Sequence, residues 1–169
     1  MLRLFAKTLK TGIVTEKIKR PDASELDALG IEVKRQVDKY FSGSIAIRAV
    51  DAGSCNGCEL EIHALNNPIY DVERYGIHFV ASPRHADVLL VTGPVARHMQ
   101  TALLRTYEAT PNPKWVIAVG DCAACGGEFS VSYASCGAVA NVIPVDIVIP
   151  GCPPTPETLV KGLLSLMKK

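Results

Sequence analysis

The chain of 169 residues contains no long hydrophobic run and no surplus of charge of either sign. Its longest apolar stretches, such as residues 88–91 and 116–119, have the length of strands, far short of the ~20 residues of a membrane-spanning helix. A formal net charge of +1 argues against nucleic acid as a partner, because phosphate-tracking proteins carry a strongly basic face. The first 20 residues have no apolar block leading into a small-residue cleavage site, so no export signal is read there. These absences lead to the expectation of a soluble, cytoplasmic protein. In a reducing compartment, six cysteines point to metal ligands, free core thiols or redox groups before a disulfide framework.

At 48% hydrophobic residues, the chain is long enough for one well-buried core and too short for two ordinary domains. Residues 1–20 carry Arg3, Lys7, Lys10, Lys17, Lys19 and Arg20 against the single acid Glu16. At helical spacing, Leu2, Phe5, Leu9 and Ile13 share one side, giving a basic amphipathic stretch that would rest on a membrane surface or partner, or else be a solvated tail. Pro21 breaks this pattern, and residues 22–25 supply capping side chains for a second helix with Leu26, Leu29, Val33, Val37 and Phe41 on one face. Ser42-Gly43-Ser44 reads as a joint. The expected organisation is therefore a helical extension over residues 1–43, contacting partner subunits or a membrane surface, followed by a main domain over residues 44–169.

Within that domain the pattern alternates. Strands are expected at residues 45–50, 77–81, 88–92, 114–119 and 146–149, and helices at 60–75, 95–109 and 157–168. Near-continuous apolar strands between helices imply an α/β fold with a doubly wound parallel sheet of the flavodoxin-like type. Three cysteine-bearing loops then leave carboxyl ends of strands, the edge at which such sheets bind cofactors.

Those loops hold Cys55 and Cys58 in a C-x-x-C step, Cys122 in a glycine-rich turn, and Cys152 before Pro153 and Pro154. Four thiolates can supply a cuboidal iron-sulfur cluster with one ligand per iron. A C-x-x-C step alone is equally compatible with zinc or a thioredoxin-like dithiol. A four-cysteine zinc site, however, usually takes two such steps, and here there is one. Prolines beside Cys152 stiffen its loop, so little entropy remains to be lost on ligation. Cys125, three residues past Cys122, is either a competing ligand, a redox partner or a small free thiol. Cys136 is read as a buried hydrophobe.

Cys55-x-Gly57-Cys58, the segment 81–87 (Ala-Ser-Pro-Arg-His-Ala-Asp), Gly120-x-Cys122 and residues 144–154 together resemble the family that unites the small subunits of NiFe hydrogenases with the 20 kDa subunit of respiratory complex I. The likeness runs in unbroken order over residues 44–168. The C-x-x-C step, where the complex I subunit has adjacent cysteines, makes it most similar to the small subunits of membrane-bound, energy-converting NiFe hydrogenases of the formate hydrogenlyase type. The resemblance implies one 4Fe-4S cluster on Cys55, Cys58, Cys122 and Cys152, which relays electrons between a NiFe site in a large subunit and ferredoxin-like subunits. It implies a peripheral place on the cytoplasmic membrane face, with membrane-embedded subunits met through the N-terminal segment. Any further clusters would lie in the partners.

Three polar residues join the site candidates. Glu61, matched by an acid in the complex I subunit, could support proton movement or fix an interface, although a carboxylate early in a helix is favoured by the dipole alone. Arg84 and His85 could tune the cluster potential or couple a proton to the electron, although a lone histidine is more often a structural hydrogen-bonder. Two other readings stay open: a complex I-like oxidoreductase without nickel that reduces a quinone or another acceptor, and a zinc- or dithiol-based interaction module.

Overall fold

The computed structural model describes residues 2–12 and 23–168. Ile13, Glu16, Lys17, Lys19, Arg20, Pro21 and Asp22 lie outside the described residues, so the break expected at Pro21 is not described. The helices are α1 (Leu2–Thr11), α2 (Ala23–Tyr40), α3 (Gly57–Ala64), α4 (Arg97–Ala109), α5 (Gly120–Cys125) and α6 (Pro156–Leu166). The strands are β1 (Ile45–Asp51), β2 (Ile77–Phe79), β3 (Val88–Thr92), β4 (Trp115–Val119) and β5 (Ile147–Ile149). All neighbouring strands pair in parallel, in the order β2-β1-β3-β4-β5. This is the doubly wound, flavodoxin-like α/β order, and the winding reverses between β1 and β3.

Alternation along each strand divides the core in two. Ile45, Ile47, Val88, Leu90, Ile117 and Val119 face one layer with Val33 and Val37 of α2, Ile62 of α3, and Leu159 and Leu163 of α6. Val50, Leu89, Val91, Val116 and Ala118 face the other layer with Leu103 of α4, Val139 and Ile143. Two aspartates fix where strands begin. Asp87 Oδ2 accepts from Ala46 N at 2.8 Å, while Asp87 N donates to Ala46 O. Asp146 Oδ2 accepts from Val116 N at 2.8 Å.

Helix α2 is part of this core rather than an outrigger. Val33 and Val37 are fully buried, and Leu29 and Phe41 pack against the same cluster. Gly30 sits mid-helix because the Tyr75 ring occupies the space of its side chain: a Cβ there would lie 2.1 Å from Tyr75 Cζ. The Tyr75 hydroxyl and Arg74 Nη2 both donate to Asp27 Oδ1, at 3.3 and 3.0 Å. Across the joint at residues 42–44, Ile45 N donates to Gly76 O.

One helix is shorter than its sequence pattern suggests. The expected helix over 60–75 starts earlier, at Gly57, and ends at Ala64. Asn67 Oδ1 accepts from Ile69 N and Tyr70 N at 2.9 and 3.0 Å, a turn that offers the backbone an alternative to the helix just where Pro68 removes a donor. A separate 3-10 turn, Val72–Tyr75, resumes the path, and Ile69 is 66% exposed. The other elements start and stop within a few residues of expectation, and α5 is additional.

Gly76 has φ +86°, and a Cβ there would lie 2.6 Å from Gly43 O. Gly76→Ala is expected to destabilise the chain by about 1–3 kcal/mol in urea unfolding. Unchanged stability would show that the joint between α2 and β1 is not packed as described.

Candidate metal centre

The first cysteine loop is built by side chains that cap its own backbone. Asp51 Oδ1, at the end of β1, accepts from Gly53 N and Ser54 N, both at 2.8 Å. Ser54 Oγ accepts from Asn56 N at 3.0 Å and donates to Glu59 Oε2 at 2.5 Å. Asn56 takes a left-handed conformation, and α3 begins at the next residue. Cys55 is thus presented on the loop and Cys58 in the first turn of the helix. Gly93, in the loop after β3, allows this approach: with φ +75°, its Cβ would stand 2.5 Å from Ser54 N.

The other two loops are tied to each other. Asp121 N donates to Gly151 O at 2.9 Å, and Gly151 N donates to Asp121 Oδ1 at 2.8 Å. The residues that immediately precede Cys122 and Cys152 therefore hold one another through two reciprocal bonds. The Cys152-Pro153 bond is cis. Glycines leave room for sulfur. A Cβ at Gly120 would lie 2.7 Å from Cys58 Sγ, and one at Gly127 would lie 2.7 Å from Cys122 Sγ.

The Cys58 and Cys122 thiols feel the cysteines of the neighbouring loops. Burial, then Glu59, then Cys55, Cys122 and Cys152 push the Cys58 thiol up to about 11. Burial first, then Cys152, Cys55, Asp121 and Cys125, raise Cys122. Both thiols resist ionisation, so a metal ligated by Cys58 and Cys122 would have to displace their protons. Cys55 and Cys152 are exposed, and Cys58 and Cys122 half-buried. Among the described residues no three His, Cys, Asp or Glu side chains form a group that could hold a single metal ion. Four cysteine thiols are the kind of donor set that a cuboidal iron-sulfur group, with one thiolate at each of four corners, would require.

The remaining candidates divide. Glu59 is among the charges that raise Cys58, and its buried Oε1 has no hydrogen-bond partner. Glu59 also lines a cleft of about 390 Å³ with Arg48, Ile62, His63 and Phe79. Glu61 instead acts on the Tyr70 hydroxyl, together with Glu157. Arg84 and His85 are exposed on the 3-10 turn Pro83–His85, capped by Ser82, and neither is among the groups that shift Cys58 or Cys122. Cys125 is exposed and its Sγ donates to Asp121 O at 3.2 Å. Cys136 is buried, as expected, with Sγ 3.5 Å from Gln100 Oε1. Asp51, Ser54 and Asp121 were not anticipated as site residues. An acid followed by glycine and serine at a strand end was a readable turn signal for the first two.

Asp121→Ala removes the side-chain half of the clip between the two loops, whereas Asp121→Asn keeps an acceptor oxygen. The Ala variant is expected to lose any metal held by the cysteines several-fold faster than wild type under a chelator challenge, with the Asn variant close to wild type. Equal loss from both variants would sink the positioning role.

Residues 55–166 match the model of the family described as NADH ubiquinone oxidoreductase, 20 Kd subunit. Formate hydrogenlyase subunit 7 of Escherichia coli is 44% identical over 147 residues, covering 80% of this chain and 58% of that protein. A Pyrococcus furiosus protein named for a membrane-bound hydrogenase subunit is 45% identical over 134 residues, covering 79% and 80%. The chain thus spans little more than half of the first relative and four fifths of the second. A similar solved chain, from the membrane-bound sulfane sulfur reductase, an archaeal respiratory membrane complex, superposes with a TM-score of 0.65 at 37% identity, covering 74% of this chain and 69% of that one. With its parallel sheet, its three cysteine loops and a family match over two thirds of its length, the chain belongs to the family of the 20 kDa subunit of NADH-ubiquinone oxidoreductase, which also takes in hydrogenase subunits.

Proposed function

We propose that this chain is the electron-transfer subunit of a membrane-associated NiFe hydrogenase complex and carries one 4Fe-4S cluster on Cys55, Cys58, Cys122 and Cys152. The observation that carries the reading is the convergence of three cysteine-bearing loops: Gly120 leaves clearance beside Cys58 Sγ, Gly127 beside Cys122 Sγ, and reciprocal Asp121–Gly151 bonds join the loops of Cys122 and Cys152. When bound, such a cluster supplies one-electron transfer. The chain's own residues hold it and set its surroundings. Glu59 and Asp121 place negative charge near the thiols, which disfavours an added electron and lowers the potential.

In this reading the large subunit supplies the NiFe centre and covers the exposed sulfurs of Cys55 and Cys152. Ferredoxin-like subunits exchange electrons with the outer donor, and the N-terminal segment lies at the membrane beside the membrane-embedded subunits. No helix among the described residues is long and apolar enough to cross a membrane. With relatives in membrane-bound complexes, this supports peripheral association, which the reading places on the cytoplasmic face.

A second reading keeps the cluster and changes the large partner to a complex I-like subunit without nickel that reduces a quinone or another acceptor. The likeness to a subunit of a sulfane sulfur reductase favours it. Anaerobic metal analysis of the intact complex separates the two: about four irons for this subunit with nickel in the large partner supports the hydrogenase, and iron without nickel supports the alternative. A colourless, zinc-bearing, iron-free protein would overturn both. Cys152→Ser is expected to lose the cluster or to convert it to a three-iron form, read by electron paramagnetic resonance. A four-iron cluster surviving in that variant would refute the ligand set and direct attention to Cys125.

A further inference from the structure

Helix α1 is the one helix whose described side chains are all exposed. Phe5 and Leu9 are 71% and 73% exposed, and Arg3, Ala6, Lys7, Lys10 and Thr11 are exposed as well. Among the described residues its only side-chain hydrogen bond is internal, from Thr11 Oγ1 to Lys7 O at 2.7 Å. Ten residues form a marginal helix in water, so a stable α1 needs a surface to cover its apolar side.

The arrangement around the helix says what that surface is. At 3.6 residues per turn Phe5 and Leu9 stand about 40° apart, and Arg3, Lys7 and Lys10 fall within an arc of about 60° on the other flank. Long basic side chains beside an apolar stripe can bury their stems and keep their charges at a polar boundary. The continuing sequence adds Lys17, Lys19 and Arg20 against Glu16 alone, so residues 1–20 hold six cations and one acid. The complementary occupant is an apolar layer faced with negative charge. A soluble acidic protein would answer the cations and leave Phe5 and Leu9 in water; a neutral bilayer would answer only the apolar residues.

We infer that α1 lies in the headgroup region of an anionic lipid surface, with Phe5 and Leu9 towards the acyl chains and Arg3, Lys7 and Lys10 among the phosphates. The inference rests on the peripheral-membrane reading above and names the contact that makes it. A short helix with two large apolar side chains binds weakly alone, so α1 orients and reinforces an assembly held by its other subunits.

The test is co-sedimentation of the full-length, cluster-loaded chain with sonicated vesicles of phosphatidylcholine alone or mixed with phosphatidylglycerol. Binding to the mixed vesicles, reversed by 0.5 M salt and absent from phosphatidylcholine, is expected, because each cation near an anionic surface contributes about fivefold to partitioning. Lys7→Gln/Lys10→Gln and Phe5→Ser/Leu9→Ser should each lower the bound fraction at least tenfold, with the cluster spectrum unchanged. Equal binding to both vesicle types, no binding to either, or double variants that bind like wild type would overturn the lipid contact. Retention only on vesicles that contain a membrane subunit would also overturn it and make the occupant a protein. Because the cluster spectrum is read in the same samples, loss of lipid binding with an intact cluster leaves the electron-transfer reading standing.

Discussion

The candidate metal centre depends on the pairing of β1, β3 and β4 in parallel register, because that ladder decides which loops share an edge. Val50 lies beside Val91 and Val91 beside Ala118, so the three strands end level with one another. The loops carrying Cys55 and Cys122 therefore emerge side by side, with the Gly93 turn of β3 between them. Asp87 sets the start of the β1–β3 pair from the opposite edge. A slip of one residue would turn Ile47, Leu90 and Ile117 out of their layer and move Cys55 and Cys122 relative to each other.

Bringing four thiolates together is unfavourable without a counter-charge. The raised Cys58 and Cys122 thiols express this: burial and neighbouring negative charge both resist ionisation. The fold offsets the cost by rigidity laid down beforehand. Asp51 and Ser54 satisfy the backbone of the first loop, and the reciprocal Asp121–Gly151 bonds join the other two. Little conformational entropy then remains to be lost when the thiols are ligated. The glycines at 93, 120 and 127 serve the same end, since each stands where any side chain would meet a neighbouring loop or a sulfur.

Much of the architecture was legible because both layers of the sheet are apolar: the strands appear as short unbroken runs bounded by glycine, proline or aspartate. The four cysteines were legible from their loop positions, and the family resemblance rested on the same residues. What escaped were features set by hydrogen bonds from single side chains. The apolar spacing of Ile62, Leu65, Ile69 and Val72 fits one continuous helix, but the Asn67 turn breaks it and leaves Ile69 exposed. Helix α5 starts on a glycine at φ +83° and has no apolar period to announce it. Arg84 and His85 sit in a segment of the family pattern, on a capped 3-10 turn at the surface, and Glu61 contributes to raising the Tyr70 hydroxyl.

A net charge of +1 conceals a polarity that ties the two ends of the reading together. Removing the six cations and one acid of residues 1–20 from the chain's 18 basic and 17 acidic residues leaves 12 against 16, a formal charge of −4. The domain with the thiols is therefore acidic before any cluster thiolate is counted. Such a body is repelled by an anionic membrane and gains nothing from approaching it. The segment that carries α1, at +5, is the part of the chain able to make that approach favourable. Charge separated in this way sorts surfaces without a large apolar interface: the basic helix goes to the negative boundary.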